Sequence, residues 1–194
     1  DPLALYAYLS ENAGILVSPG QDDEKDVFHF AHRTFQEYLA ASHIAKTCIE
    51  ADSYKLVYDL ITAKPQTWRV PCALVGDVLA DTEQKSKLWN LLADLLEAEP
   101  PTEQNHSAWW AGWLAGEIST EQELHLQEKL NRRTEQPIRE GLVEWLVALI
   151  EQEALPPIER ATCGHTLALL GDPREGVGLR PDGLPDIVWG NDVP

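Results

Sequence analysis

Apolar residues recur at every third or fourth position from residue 33 to about residue 170, which is the spacing of one face of an α-helix. Short polar or proline-containing connections separate these stripes, and together they predict roughly eight helices. The protein should therefore be mostly α-helical. The stripes run through Phe35, Tyr38, Leu39 and Ile49; Tyr54, Val57 and Ile61; Val70, Leu74 and Val78; Leu88, Leu91, Leu92 and Leu95; Trp109, Trp113 and Gly116; Ile138, Leu142, Trp145, Leu146 and Leu149; and Ile158, Ala161, His165 and Leu169.

A further helix is predicted where Thr120 and Glu123 form a capping box, because such a pair satisfies the first free N–H groups of a helix. Helices joined by short connections pack either as a closed bundle or as stacked antiparallel pairs. Prolines and glycines divide this run into pairs of about 30–40 residues, which favours the stacked arrangement of a HEAT-like array. The chain contains no exact sequence repeat.

The two ends of the chain lack the helical period. Residues 15–17 and 27–30 are short apolar runs on either side of a polar segment, and they predict a small β-hairpin. Residues 171–185 are rich in glycine and proline and predict an extended C-terminal arm. Leu184, Ile187 and Trp189 recur in this region, and exposing apolar surface costs roughly 25 cal/mol per Å². We therefore expect the arm to pack back along the last helices.

The composition limits the range of partners. Acidic residues outnumber basic ones by 32 to 15, which gives a formal charge of -17, whereas a nucleic-acid binder needs clustered Lys and Arg. No apolar run approaches the roughly 18 residues of a membrane span. Cys48, Cys72 and Cys163 lie far apart in apolar surroundings, which indicates buried thiols of a reducing, cytoplasmic compartment. The chain has no methionine, and we expect it to be a piece of a longer protein.

Motifs for catalysis or for binding a cofactor are missing from the sequence. It contains no phosphate-binding loop, no dinucleotide-binding glycine pattern, no nucleophile elbow and no C-x-x-C pair. His29 and His32 form H-x-x-H, but the motif spans a strand and a helix start, where the two rings do not face the same way. No enzyme activity, cofactor or metal is therefore expected of this chain.

Three tryptophans, Trp109, Trp110 and Trp113, lie within one predicted helix. At this spacing they can form a core between helices, stack on a base or a sugar, or present a docking face to a partner domain. Together with Trp189 they are the candidate interaction residues.

Residues 27–41, V-F-H-F-A-H-R-T-F-Q-E-Y-L-A-A, closely resemble the F-x-H-x-[ST]-F-Q-E-[YF]-x-A-A signature that ends the winged-helix part of NACHT proteins. These signalling NTPases include animal NOD-like receptors and bacterial defence proteins. The resemblance covers about residues 3–45, and the helical run after it is similar to the superhelical arm that these proteins carry next. It implies a winged-helix remnant at the N-terminus, with Phe35, Tyr38 and Leu39 in the core.

The same resemblance implies a role for His32. In the family, the histidine of the signature reaches the β-phosphate of ADP and holds the resting state. The position suits an anion, because backbone N–H groups and the helix dipole converge at a helix N-terminus. The alternative is a buried capping histidine without a ligand. ATP or ADP with Mg would belong to the parent protein, a P-loop NTPase, and not to this chain alone.

Residues 168–189 are similar to the lead-in to formylglycine-generating-enzyme-like domains, which have a C-type-lectin-like fold. The expected organisation is then a winged-helix remnant at 1–50, a HEAT-like region at 51–170 and a linker at 171–194. The implied function is non-catalytic: a regulatory segment of a bacterial defence protein, relaying between the NACHT module and a C-terminal sensor or effector domain, with a protein ligand as a further partner. The alternative is a free-standing helical interaction module with no NTPase.

Overall fold

The structure, a computed structural model, describes residues 8, 15–17, 29–81, 85–127, 129–177 and 184. It is mostly helical, as the hydrophobic periodicity predicts. Two short strands come first and seven α-helices follow within these residues, with one 3-10 turn, Leu124–Leu126, before the sixth helix. The elements are β1 (Leu16–Val17), β2 (His29–Phe30), α1 (Arg33–Ala51), α2 (Lys55–Ala63), α3 (Pro65–Ala80), α4 (Lys85–Leu95), α5 (Trp109–Glu121), α6 (Glu135–Glu151) and α7 (Pro157–Leu170).

The helices begin and end where the sequence provides suitable residues. Pro65 and Pro157 occupy the first positions of α3 and α7, where the missing N–H of proline has no helical partner to lose. Asp52 ends α1 in the left-handed conformation and its N–H returns to the carbonyl groups of Cys48 and Ile49. This cap lets the chain turn directly into α2.

The helices stack in two layers. Helices α1, α3, α5 and α7 contact one another in that order, and α2, α4 and α6 do the same in the second layer. Each helix also contacts the next one along the chain. All contacts between helices that involve several residue pairs join helices that are at most three positions apart in chain order. This is the packing order of a stacked array, in which each repeat touches only its neighbours.

Helix α5 lies at the centre of the array and contacts α2, α3, α4, α6 and α7. Nine of its residues are buried, which are Trp109, Ala111, Gly112, Trp113, Leu114, Ala115, Gly116, Ile118 and Ser119. A helix that is apolar on nearly all sides must be enclosed by others. Its two glycines allow close approach, because a Cβ at Gly112 would lie 2.6 Å from Cε3 of Trp145, and one at Gly116 would lie 3.2 Å from Cδ2 of Leu146.

Polar contacts join helices within the layer of α1, α3, α5 and α7. The hydroxyl groups of Thr120 and Thr166 are 3.0 Å apart and join α5 to α7. The buried carboxylate of Glu159 lies 3.5 Å from the guanidinium of Arg69, which links the start of α7 to the start of α3. Thr166 and Glu159 therefore each have a partner, as burial requires, whereas the indole nitrogens of Trp89 and Trp113 and Nδ1 of His125 are buried without one.

The capping box expected at Thr120 and Glu123 is wrong. Thr120 lies inside α5, where its hydroxyl donates to the carbonyl of Gly116. Glu123 follows the helix with a left-handed φ of 51°. In place of the additional helix the chain forms only the 3-10 turn at Leu124–Leu126.

Two predicted apolar stripes differ from the buried faces of their helices. In α3, Val70 is exposed and Leu74 and Val78 are only partly buried against the core. The residues that α3 buries fully are Pro71, Cys72, Val75, Gly76 and Leu79. In α7, Ile158 and Leu169 are exposed, and the buried residues are Glu159, Cys163, Thr166, Leu167 and Leu170. The stripes of α4 and α6 are buried as predicted, through Leu88, Leu91, Leu92 and Leu95, and through Leu142, Trp145, Leu146 and Leu149.

The strands lie in the two predicted segments. They pair antiparallel, with Leu16 opposite Phe30 and Val17 opposite His29. The N–H of Ala31 donates to the carbonyl of Ile15 at 2.9 Å, which extends the pairing to the residue before the cap of α1. The predicted docking of the C-terminal arm concerns residues that are mostly outside the described ranges, Trp189 and Ile187 among them.

Candidate functional site

His32 stands at the junction between β2 and α1. It is the N-cap residue of α1, with an extended backbone at φ -130° and ψ 137°, and its side chain makes no capping hydrogen bond. The imidazole is exposed, and its ring centre lies 6.2 Å from that of Phe35. The alternative of a buried capping histidine is therefore wrong, and the side chain faces outward at a helix N-terminus.

The charge around this N-terminus suits an anion. The first turn of α1 contains no acidic residue to offset the positive end of the helix dipole. Arg33 is the first helical residue, and its guanidinium Nε lies 2.8 Å from the carboxylate of Glu37, one turn further along.

The signature residues Phe35, Tyr38 and Leu39 occupy the first half of α1, before its first buried residue. They are 42%, 51% and 52% exposed. The expectation that they lie in the core is therefore wrong. The buried residues of α1 begin only at Ala41 and continue through Ile44, Ala45 and Cys48. We call the exposed surface of Phe35, Tyr38 and Leu39 the aromatic face of α1.

The tryptophan cluster divides between core and surface. Trp109 is fully buried, packs edge-to-face on Trp145 with ring centres 5.9 Å apart, and donates its indole N–H to the carbonyl of Glu103 at 2.8 Å. Trp113 is only 8% exposed. The interaction role expected for Trp109 is thus corrected, because a partner cannot reach a side chain enclosed between helices. Trp113 lines a surface groove, and its interaction role stays a prediction. Trp189 lies outside the described residues.

Trp110 keeps an accessible side. It is partly buried, meets Trp113 edge-to-face at 5.7 Å, and lines an open cavity of about 550 Å³ with His106 and Arg160. The guanidinium of Arg160 is already engaged, since it donates to the carbonyls of Glu153 and Leu155. The interaction role of Trp110 therefore stays a prediction.

The cysteines are structural. All three are free and buried, and burial is the largest cause of their raised pKa values. The pKa of Cys48 rises to about 11, and those of Cys72 and Cys163 to about 12. Thiols with such values are not nucleophiles at neutral pH. Within the described ranges, no group of three His, Cys, Asp or Glu side chains is placed to hold a metal ion.

Sequence reasoning missed one surface feature, a groove between α3 and α5. Its walls include Val70 and Leu74 of α3, and Trp113, Glu117 and Glu121 of α5. Two signals pointed to it: an apolar stripe in α3 that the core uses only in part, and glutamates one helical turn apart in α5.

Comparison of the chain with protein-family models, with curated proteins and with solved structures gave no match.

Proposed function

We propose that this chain is a non-catalytic regulatory segment of a NACHT-type signalling ATPase. In the parent protein it would relay between the nucleotide-binding module on its N-terminal side and a sensor or effector domain, resembling formylglycine-generating enzyme, on its C-terminal side. The observation that carries the proposal is the aromatic face of α1. The residues of the F-Q-E-Y-L signature that are apolar are also the ones the array leaves uncovered.

An exposed cluster of Phe35, Tyr38 and Leu39 favours a partner domain. Leaving apolar surface in water costs roughly 25 cal/mol per Å², and monomeric proteins rarely group such residues without a binding role. The winged helix and NACHT module of the parent would cover this face. The signature and the uncovered face share these three residues, so this face is where the proposed partner module would pack.

Helix α1 suits a relay because one half of it packs in the helical array and the other half is available to the partner domain. Its 19 residues span about 28 Å. The second half is fixed in the array by Ala41, Ile44, Ala45 and Cys48, while the first half carries the aromatic face. A rotation of the partner domain against the first half would therefore tilt a rigid element of the array, as in two-state domain switches.

The role proposed for His32 is contact with the β-phosphate of ADP in the parent protein. The exposed imidazole and the uncompensated N-terminus of α1 support it. The phosphate-binding loop, the Mg ion and the nucleotide would come from the NACHT module. This chain alone should hold no nucleotide tightly.

The test is His32→Ala in the full-length parent. Losing one polar phosphate contact costs about 1–3 kcal/mol, so ADP should dissociate roughly 5–150 times faster and basal signalling should rise. The measurement is the release of a fluorescent ADP analogue from the purified protein. His43→Ala is the matched control, since His43 is exposed on the same helix and should leave ADP release unchanged.

Equal ADP release from both variants and from wild type would refute the role of His32. The wider proposal has its own test in the coding sequence upstream of Asp1. A G-x-x-x-x-G-K-[ST] loop a few hundred residues before the hairpin supports the NACHT assignment. A complete gene without that loop would favour the free-standing interaction module.

A further inference from the structure

A groove runs between α3 and α5 on the surface of the array, with a volume of about 630 Å³. The α3 wall is apolar over Val70, Ala73 and Leu74, and Val70 is exposed. On the α5 wall, Trp113, Glu117 and Glu121 follow one another at four-residue spacing, so they form one straight ridge along the helix. The groove therefore combines an apolar wall with an acidic one.

The acidic end of the groove is where both helices finish. Gly76 of α3 lies against Ile118 of α5, and the Gln122 side chain, just after α5, donates to the carboxylate of Asp77. The two helices therefore run in the same direction and their C-terminal ends lie side by side. Neither helix has a basic residue in its last turn. Their negative dipole ends add to the charges of Asp77, Glu117 and Glu121.

One positive charge of the groove lining, Arg69, offsets the charge of Glu117 in part. Arg69 is the only basic residue of the lining and belongs to the start of α3, where its guanidinium pairs with Glu159. Burial and the neighbouring charge of Glu121 raise the pKa of Glu117, and burial and Asp77 raise that of Glu121. These carboxylates repel one another, and a cation placed between them would relieve the repulsion.

The shape of the groove favours an organic cation on a chain. The part of the molecule that the structure describes has no acidic cluster close enough to hold a metal ion. From Arg69 to Asp77 the α3 wall extends over about 12 Å, which matches three to four residues of extended peptide at about 3.3 Å each. Apolar side chains of such a segment would lie on Val70 and Leu74.

We propose that the groove between α3 and α5 binds an extended segment of a partner protein that carries Lys or Arg beside an apolar residue. The basic side chain lies between Asp77, Glu117 and Glu121, and its apolar neighbour packs on the α3 wall. Charge complementarity and the paired helix ends carry this assignment. It does not depend on the NACHT assignment, because His32 and the aromatic face take no part in it.

The test uses the isolated chain and a fluorescein-labelled probe peptide of alternating leucine and lysine, followed by fluorescence anisotropy. Glu117→Gln combined with Glu121→Gln should weaken binding about five- to tenfold, since it removes two partly exposed ion pairs. The matched control is Glu97→Gln combined with Glu99→Gln, which removes two exposed loop charges and should change affinity less than about twofold.

Two further measurements distinguish binding in the groove from a general attraction of basic peptides to an acidic protein. Acetylating the lysines of the probe removes their charge and should abolish binding. Val70→Ser should weaken binding of the peptide but not of spermidine, a cation without apolar side chains. Equal losses in the two glutamine double variants, unchanged binding of the acetylated peptide, or no effect of Val70→Ser on the peptide would each overturn the proposal. Glutamine and serine at these positions leave the core intact, and a thermal melt of each variant checks this.

Discussion

Glu117 lies midway along the groove between α3 and α5. Ionising its carboxyl group costs more free energy in the folded chain than in the unfolded one. Burial and the like charge of Glu121 raise its pKa, while Arg69 acts in the opposite direction. A raised pKa means that the folded chain binds the proton more tightly than the unfolded chain does. The charged form therefore lowers the free energy of unfolding at neutral pH.

Glu117→Gln should accordingly stabilise the protein at pH 7. The cost of the charge is fully present above the pKa of the folded state and is gone below the ordinary value of 4.5. Urea unfolding of wild type and variant should show a higher midpoint for the variant at pH 7 and no difference at about pH 4. Glu97→Gln, at an exposed loop position, is the control without gain. A variant that is less stable at pH 7 would contradict the expected sign.

Residue patterns predicted polar positions less well than apolar ones. Thr120 and Glu123 satisfy the capping-box rule in sequence, yet Thr120 lies inside α5 and its hydroxyl group bonds to Gly116 of the same helix and to Thr166 of α7. The rule describes local hydrogen bonds, and here a contact with α7, 46 residues away, uses the hydroxyl group instead. The sequence placed His32 correctly at the start of α1, because the end of the second strand and the beginning of the helical period are both visible in the local sequence pattern.

At the scale of elements, the contact between α5 and α6 is tighter at Gly112 than at Gly116. A Cβ at Gly112 would lie 2.6 Å from Cε3 of Trp145, and the Trp145 indole is fixed by a hydrogen bond to the carbonyl of Ala98 at 3.0 Å. Since the ring cannot move without breaking that bond, the two helices must separate to admit a larger residue.

Gly112→Ala should therefore destabilise the chain by about 1–3 kcal/mol, the usual cost of overpacking a core. Gly164→Ala is the matched control: it lies in α7, and a Cβ there meets nothing within 4 Å. That substitution should stabilise by about 0.5–1 kcal/mol through the helix preference of alanine. Chemical unfolding measures both, and effects of the same sign would contradict this account of the contact.

The positions of the helices along the chain could be predicted from hydrophobic periodicity. Which face of each helix is buried could not be predicted in every case. Helix α7 buries Glu159 and Thr166 because Arg69 and Thr120 supply partners from other helices. No local pattern reveals those partners, so the apolar stripe through Ile158 and Leu169 was mistaken for the core face. In α3, Val70 and Leu74 line a surface groove, and Leu74 is only partly buried against the core. The aromatic face of α1 was misplaced for the same reason.

For the molecule as a whole, the two-layer order predicts uneven stability. Each helix is supported by near neighbours in the chain, so opening can start at an end without disturbing the centre. Helix α5 has contacts on most sides, whereas the first half of α1 has an exposed aromatic face.

Hydrogen exchange should follow this gradient. The amides of Tyr38 and Leu39 should exchange at least about tenfold faster than those of Ala45 and Cys48 in the same helix, and α5 should exchange slowest. In the parent protein, covering by a partner domain should slow the first half of α1. Uniform protection along α1 in the isolated chain would show that its two halves are not separate units.

The burial of the three thiols has a chemical consequence. Cys48, Cys72 and Cys163 belong to α1, α3 and α7, three of the four helices of one layer. A buried thiol reacts with a labelling reagent only when its helix opens, so the rate of labelling measures how often that helix opens. The native sequence thus carries built-in reporters along the array, and each records how often its own part comes apart while the rest stays folded.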